Sequence, residues 1–552
     1  MHRTSTQTMH ANACRGLRGR WDRLLLARFA AVAALAAVSA AGAAGALPAS
    51  ALATGASAVG WGENYRTQLD AGYKSVYEES PVPLVGVSEV KALAVGNGFS
   101  LALLGDGTVR AWGGNTWGQL GDGTRTSTWA KDADEVAVEG LSGVKAIAAS
   151  NGHALALLED GTVEAWGNDN YGQLGEGVYG TEGRSGENQT VPHPVPGLTD
   201  VIAIAAGGGS NYALLADHTL MAWGQNNAGQ LGIGETGPET CVFEGTRRVP
   251  CSTVPRPVGT PVGGGGATLA VEPLREVIAI SAGDESAYAV LADHRLDAWG
   301  SNGLGQLGTG GELNAKATTP RTVLSARTGS PLAGVSSVAA GGDHALALLE
   351  SGQLLAWGSN VGGESGEAAS QACGSRKQCV PEPTALPDLA GVSYIAAGSN
   401  FSLAASGGEV YAFGKNARGQ LGDGSTTGSA APVPVDGLSD VSGLAAGSTH
   451  AFALLAPGAP TPPAAVSVQP GAGSLSVTWS ARSPQVRLRD RLAKSSLPKG
   501  TGDRFLQHTA LGEGEQGFTF TGLQAVPYEI VISAEARDGT TKSRIAIASP
   551  LP

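Results

Sequence analysis

Three histidines, His153, His344 and His450, recur at one position of a repeated pattern, Ala-Ala-Gly-x-x-His-x-x-Ala-Leu. Histidine is the side chain best suited to moving protons near neutral pH, so general acid or base chemistry is the first reading to weigh. Other copies hold Phe99, Ser210, Ser286 or Phe401 at the same place. A position that phenylalanine can fill is a packing position, and the three imidazoles read as scaffold. Two Gly-Asp-Gly segments, Gly121–Gly123 and Gly422–Gly424, offer the oxygen donors that hard cations take. Glu176, Ile233 and Thr309 replace that Asp elsewhere and no run supplies several carboxylates, so turn chemistry explains the segments and no metal is expected. The run Gly263–Gly266 lacks the Lys-Ser/Thr of a phosphate loop. An enzyme that cleaves polysaccharide would need two facing carboxylates, and no copy carries an unusual acidic pair in an apolar strand. Neither a catalytic constellation nor a cofactor is expected.

Cysteine offers the remaining chemistry. Cys241 and Cys251 lie in one Pro/Gly-rich insertion, Cys373 and Cys379 in another, and Cys14 lies near the N-terminus. There is no Cys-x-x-Cys and no histidine at ligand spacing, so two local disulfides are expected in preference to a metal site.

These residues sit on a repeat. Aromatic-Gly anchors fall at Trp61, Trp112, Trp166, Trp223, Trp299, Trp357 and Phe413, separated by 51, 54, 57, 76, 58 and 56 residues. A strand pair also appears seven times, beginning near Val95, Ala149, Ala206, Ala282, Ala340, Ala397 and Ala446, and the two series are out of phase. Trp61 has no strand pair before it, and the last pair has no Trp-Gly after it. If the first fragment completes the last, seven units close a ring and no sheet edge stays open. Short apolar runs flank Asp-Gly turns at Asp106-Gly107 and Asp160-Gly161, as in β-hairpins, while Asp217-His218 and Asp293-His294 put a less favourable residue in the same turn. The fold expected is all-β: a seven-bladed propeller over 54–456 closed by both chain ends, a Pro-rich linker at 457–463, and a small β-sandwich at 464–552.

Composition agrees. With 83 Gly and 29 Pro in 552 residues the chain is turn-dense, and at 15% charged against 42% hydrophobic it is globular. Arg15 to Arg28 precede the apolar run Phe29–Ala46 and an Ala-Leu-Ala site at Ala51–Ala53, the pattern of a secretory signal peptide over 1–53. A retained membrane anchor is the alternative. That segment holds six basic residues and one acidic one, so its removal moves the formal charge from −12 to about −17. Such an acidic chain suits neither nucleic acid nor insertion into an anionic membrane. A secreted or cell-surface monomer is expected.

The binding signal lies in the loops. Three residues after each anchor stands Asn64, Asn115, Asp169, Asn226, Asn302, Asn360 or Asn416, a side chain able to cap a turn. Two residues further the identity varies freely: Arg66, Trp117, Tyr171, Ala228, Leu304, Gly362, Arg418. Arg66, Trp117, Tyr171, Leu304 and Arg418 are therefore candidates for one partner-binding face, because loop aromatics and arginines anchor protein interfaces. An ordinary solvated loop is the alternative, and the two cysteine-bearing insertions compete for the role.

The consensus Ala-Ala-Gly-x-x-His-x-x-Ala-Leu, Asp-Gly, Ala-Trp-Gly-x-Asn-x-x-Gly-Gln-Leu-Gly resembles the repeat of the regulator of chromosome condensation family over about residues 55–455. The resemblance implies a seven-bladed propeller closed by both ends. Residues 464–552 resemble a fibronectin type III domain, with Trp479 at the early core position and Leu523 with Tyr528 like its tyrosine corner, though one residue short of the usual spacing. Guanine nucleotide exchange, the founding activity of the repeat family, fits an exported acidic chain poorly. Secreted propellers that inhibit β-lactamases are nearer in setting. The resulting expectation is a non-catalytic protein-binding or adhesion propeller, with a protein or cell-envelope component as partner; a secreted inhibitor of an extracellular enzyme is the alternative.

Overall fold

The computed structural model describes residues 58–456, except 71–74, 127–132, 180–187, 244–246, 263–269, 311–312, 314, 367–370 and 374–376, together with the strands between 464 and 548. The segments read above as leader, 1–53, and linker, 457–463, lie outside the described residues, as does Leu523.

Each repeat folds into one antiparallel sheet. The copy containing His153 runs through Val144–Ser150, His153–Leu158, Val163–Gly167 and Gln189–Pro194. The first three are the short apolar runs. Asp160-Gly161 turns between the second and third: Gly161 has φ 83°, and Asp160 Oδ1 accepts the N–H and hydroxyl of Thr162 at 3.0 and 2.6 Å. His218 and His294 occupy the same left-handed place at φ 64° and 62°. Each is held there by the next blade, His218 Nδ1 lying 2.9 Å from Val277 O and His294 Nδ1 3.3 Å from Val335 O.

The first strands, from Val90–Val95 through Val144–Ser150, Val201–Gly207, Val277–Ala282, Val335–Ala340 and Val392–Ala397 to Val441–Ala446, touch in turn, and the last touches the first. Seven sheets thus stand as blades round one axis. The seventh blade is built from both ends of the ring: Ala58–Glu63 pairs with His450–Leu455, with Ala58 beside Leu454 and Gly62 beside His450. Tyr77–Pro83 adds its outer strand. This is the closure that the out-of-phase series predicts.

The core lies between blades. Trp61, Trp112, Trp166, Trp223, Trp299 and Trp357 are fully buried. Each indole Nε1 donates to a loop carbonyl ahead of its blade, at Gln420, Gln68, Gln119, Gln173, Gln230 and Gln306, over 2.7–2.9 Å. Phe413 has no such donor, and the hydroxyl of Ser402 serves the corresponding carbonyl, Glu364 O, at 2.7 Å. The glycine after each anchor has φ between 96° and 117°, in the left-handed region where side chains strain. At Gly167 a Cβ would also meet Gly152 O at 2.4 Å.

The three histidines stitch blades together. His153 Nε2 lies 2.8 Å from Asn211 Oδ1, His344 Nε2 2.8 Å from Ser402 Oγ and His450 Nε2 3.0 Å from Ser100 Oγ, always in the following blade. Asn211, Ser402 and Ser100 each donate onward to a loop carbonyl, at Gln173, Glu364 and Gln68. They therefore accept from the imidazole, which places its proton on Nε2.

Both disulfides form, Cys241–Cys251 and Cys373–Cys379, with Cα separations of 5.9 and 5.8 Å. Each lies in a hairpin, Glu239–Phe243 with Arg247–Pro257 and Gln371–Cys373 with Lys377–Ala385, that extends its blade to five strands. Beyond the ring, Ala464–Gly471, Ser474–Ser480 and Gly517–Thr521 form a three-stranded sheet; Phe505–Ala510, Arg487–Lys494, Tyr528–Glu535 and Thr540–Ala548, in that order, form a four-stranded one.

Candidate partner-binding face

The loop after each anchor has its backbone held by its own side chains. The Asn or Asp carboxamide or carboxylate oxygen accepts the N–H five residues on, from Leu69 N to Asn64 (3.0 Å) round to Leu421 N to Asn416 (2.9 Å), in all seven loops. The side chain of Gln68, Gln119, Gln173, Gln230, Gln306, Glu364 or Gln420 accepts the N–H of the variable residue two positions back, at 2.6–2.8 Å. The loop thus uses the variable residue's backbone and leaves its side chain out of the turn, which is why the sequence there is unconstrained.

Arg66, Trp117 and Tyr171, from three successive loops, come together along one cleft of about 370 Å³. All three are half-buried, and Tyr65 beside them is 48% exposed. The Arg66 guanidinium lies 5.1 Å from the centre of the Tyr65 ring. The cleft is also lined by Asn97, Asn151 and Gly208, which stand two residues ahead of Phe99, His153 and Ser210. Among the described residues the amides of Asn97 and Asn151 have no protein hydrogen-bond partner, and both residues are exposed.

The large variable residues are matched by glycines. A Cβ at Gly98 would stand 2.9 Å from Arg66 Cδ, one at Gly152 2.7 Å from Trp117 Cδ1, and one at Gly209 2.8 Å from Tyr171 Cδ2. Gly152 and Gly209 do not have positive φ, so what stands above them accounts for glycine there: the indole at Gly152, and the Tyr171 ring with the Gln225 side chain at Gly209. Where the corresponding residue is Glu285, the loop residue is Ala228, and Asn227 Nδ2 donates to Glu285 Oε1 at 2.8 Å.

Leu304 and Arg418 do not join the cleft. Leu304 is 5% exposed and packs on the Cys373–Cys379 cystine, so the stapled insertion removes it from the expected exposed surface. Arg418 is exposed one loop before Arg66, its Nε 3.4 Å from Glu63 Oε1. Asn97, Asn151 and Tyr65 are cleft residues that the sequence reading missed. The signal for Asn97 and Asn151 lay in the x-x of Gly-x-x-His, read as spacer, and that for Tyr65 in the loop position between Asn64 and Arg66.

Acidic groups gather further round the mouth. Asp343 Oδ1 accepts from Gln306 Nε2 at 3.1 Å. Burial, with Asp343 and Glu285 nearby, raises the carboxyl of Asp284 to about 6. Among the described residues no group of three His, Cys, Asp or Glu could hold a metal ion, and no helix is long and apolar enough to cross a membrane.

A sequence model of the regulator of chromosome condensation (RCC1) repeat matches residues 106–157, 160–214, 293–348 and 407–454; a second model of the repeat matches 90–119, 144–173, 201–230, 277–306 and 335–364. Together they cover half of the chain. The probable E3 ubiquitin-protein ligase HERC6 of Homo sapiens is 31% identical over 343 residues, which are 59% of this chain but 29% of HERC6. The ultraviolet-B receptor UVR8 of Arabidopsis thaliana is 27% identical over 397 residues, 70% of this chain and 80% of the receptor. Among solved structures, Prp20p of Saccharomyces cerevisiae superposes with a TM-score of 0.58 at 23% identity, covering 73% of this chain and 92% of Prp20p. Repeat matches, ring closure and superposition agree: the chain belongs to the regulator of chromosome condensation (RCC1) repeat family and folds as a seven-bladed propeller.

Proposed function

We propose that this chain is an exported, non-catalytic binding propeller that captures a protein or cell-envelope component on its loop face. The observation that carries the reading is the convergence of Arg66, Trp117 and Tyr171 on one cleft, each seated on a glycine. At Gly152 and Gly209, where the backbone does not call for glycine, the fold has cleared space for Trp117 and Tyr171. Related propellers bind proteins, Prp20p being described with Gsp1p and histones and in complex with Kap60. Those partners belong to Prp20p. Export rests on the N-terminal pattern and on two cystines, which suit an oxidising compartment. The three-stranded and four-stranded sheets after the ring support a fibronectin type III-like sandwich, acting as a spacer from a surface.

Affinity capture from the organism's own culture supernatant and envelope, with the chain as bait, tests the reading. Trp117→Ala with Tyr171→Ala should abolish capture; capture that persists unchanged would remove the loop face from consideration. Stoichiometric inhibition of an extracellular enzyme such as a β-lactamase would identify the bound partner as a target enzyme.

A further inference from the structure

We infer that the cleft between the first three loops is a subsite for a neutral oligosaccharide. The inference rests on the reading of this face as a binding surface and names the chemistry of what it takes.

Three aromatic rings, Tyr65, Trp117 and Tyr171, line the cleft together with the amides of Asn97, Asn151 and Asn170. No carboxylate lines it, and its one cation, Arg66, is engaged with the Tyr65 ring and hydroxyl. A ligand drawn by charge would find little here to pair with. A pyranose ring presents two kinds of surface: a face of polarised C–H groups and a rim of hydroxyls. The negative face of an aromatic ring attracts the first. A carboxamide, with two donor hydrogens and an acceptor oxygen, pairs with the second, because each hydroxyl both donates and accepts.

The amides are available for that work. Among the described residues the Asn97 and Asn151 side chains bond to no protein group, and the Asn170 side chain has no recorded partner, its backbone N–H being the group held by Asn168 Oδ1 at 2.9 Å. The rings are set in advance. Loop backbones fixed by Gln119 and Gln173, and ring seats at Gly152 and Gly209, confine Trp117 and Tyr171 before a ligand arrives, which lowers the ordering cost of binding. The volume, about 370 Å³, falls within the range of roughly 300–1,000 Å³ usual for small-ligand clefts. It suits a short stretch of sugar chain.

The test is calorimetric titration of the full chain with neutral gluco-, manno-, galacto- and N-acetylglucosamine oligosaccharides, with polygalacturonate as the charged comparison. At least one neutral series should bind, with an affinity unchanged between low and high salt, since no charge pairing is involved. Trp117→Ala and Tyr171→Ala should each weaken binding by roughly tenfold or more. Gly152→Ala, which keeps the indole but pushes it from its seat, should weaken binding while the thermal midpoint holds. Failure of every neutral series to bind, preference for polygalacturonate, or binding indifferent to Trp117→Ala overturns the inference. Loss of capture of a protein partner in Trp117→Ala with Tyr171→Ala, in the absence of any sugar binding, overturns the sugar chemistry and leaves the binding-face reading intact. Capture and sugar binding both indifferent to the two substitutions overturn both.

Discussion

The indole of Trp117 rests on Gly152, a residue of the next blade whose backbone any amino acid could adopt, with Cδ1 2.7 Å from where a Cβ would stand. The glycine is there for the ring. Gly152→Ala should therefore displace a half-buried loop side chain at little cost in stability and alter the near-ultraviolet circular dichroism of the indole. Gly167→Ala, a short distance along the same blade, should behave differently. Its φ of 96° and the 2.4 Å approach to Gly152 O make the fold itself object, at a cost of about 2 kcal/mol or more. Urea unfolding of the two variants separates a seat from a hinge of the backbone.

Buried histidines make the ring acid-sensitive. Burial lowers the imidazole of His153 to about 4 and that of His450 to about 3, from 6.5, and lowers His344 also, against the pull of Glu364. With folded-state values depressed, the unfolded chain binds protons first. The stability these neutral rings supply is complete above pH 6.5 and is lost as pH falls from there towards their folded-state values. Each ring contributes a slope of up to about 1.4 kcal/mol per pH unit. His344→Phe, which copies Phe99 and Phe401, should flatten the decline seen in thermal midpoints measured from about pH 7 to about pH 4.5. An unchanged slope would contradict the assignment.

The exchange of Trp for Phe413 predicts a rescue. Trp166→Phe should leave Gln119 O without its indole donor, at a cost of about 1–3 kcal/mol. Ala154 stands beside Trp166 as Ser402 stands beside Phe413. Adding Ala154→Ser supplies the hydroxyl that serves Glu364 O in the sixth blade, and should restore part of the loss. A double-mutant cycle by denaturant unfolding reads the coupling directly.

In the first loop Thr67 holds φ 60° at the place where Gly118 and Gly172 stand in the next two. A β-branched residue there is strained. Thr67→Gly should raise stability by about 1 kcal/mol, read as a higher thermal midpoint. Because Arg66 is its neighbour, the strain lies beside the cleft.

The ring, the number of blades and the closure through Trp61 and His450 were legible, since a period and a phase difference survive without coordinates. The outermost strands were not. Gln189–Pro194 contains Pro192 and Pro194, which break the alternation of a strand, yet proline is tolerated on an outer edge where no ladder donor is needed. Asn64 and its equivalents were legible as turn caps because a carboxamide before a glycine-rich turn has few other uses. The cleft was half legible: Arg66, Trp117 and Tyr171 announced themselves by varying, while the burial of Leu304 depended on an insertion some seventy residues later in the chain folding back over it. The pairing of His450 with Ser100, 350 residues apart, needed knowledge of which copies are neighbours.

Closure through Ala58 beside Leu454 also fixes where the chain enters and leaves the ring. The strands Ala58–Glu63 and His450–Leu455 run antiparallel, so the chain comes in and goes out side by side at the end of the blade away from Gly62 and His450. The cleft opens at the other end. The described ring therefore begins, at Ala58, and ends, at Leu455, on the side away from the cleft. The face that carries Trp117 and Tyr171 is thus left clear of the places where the chain enters and leaves the ring, like the upper surface of a table.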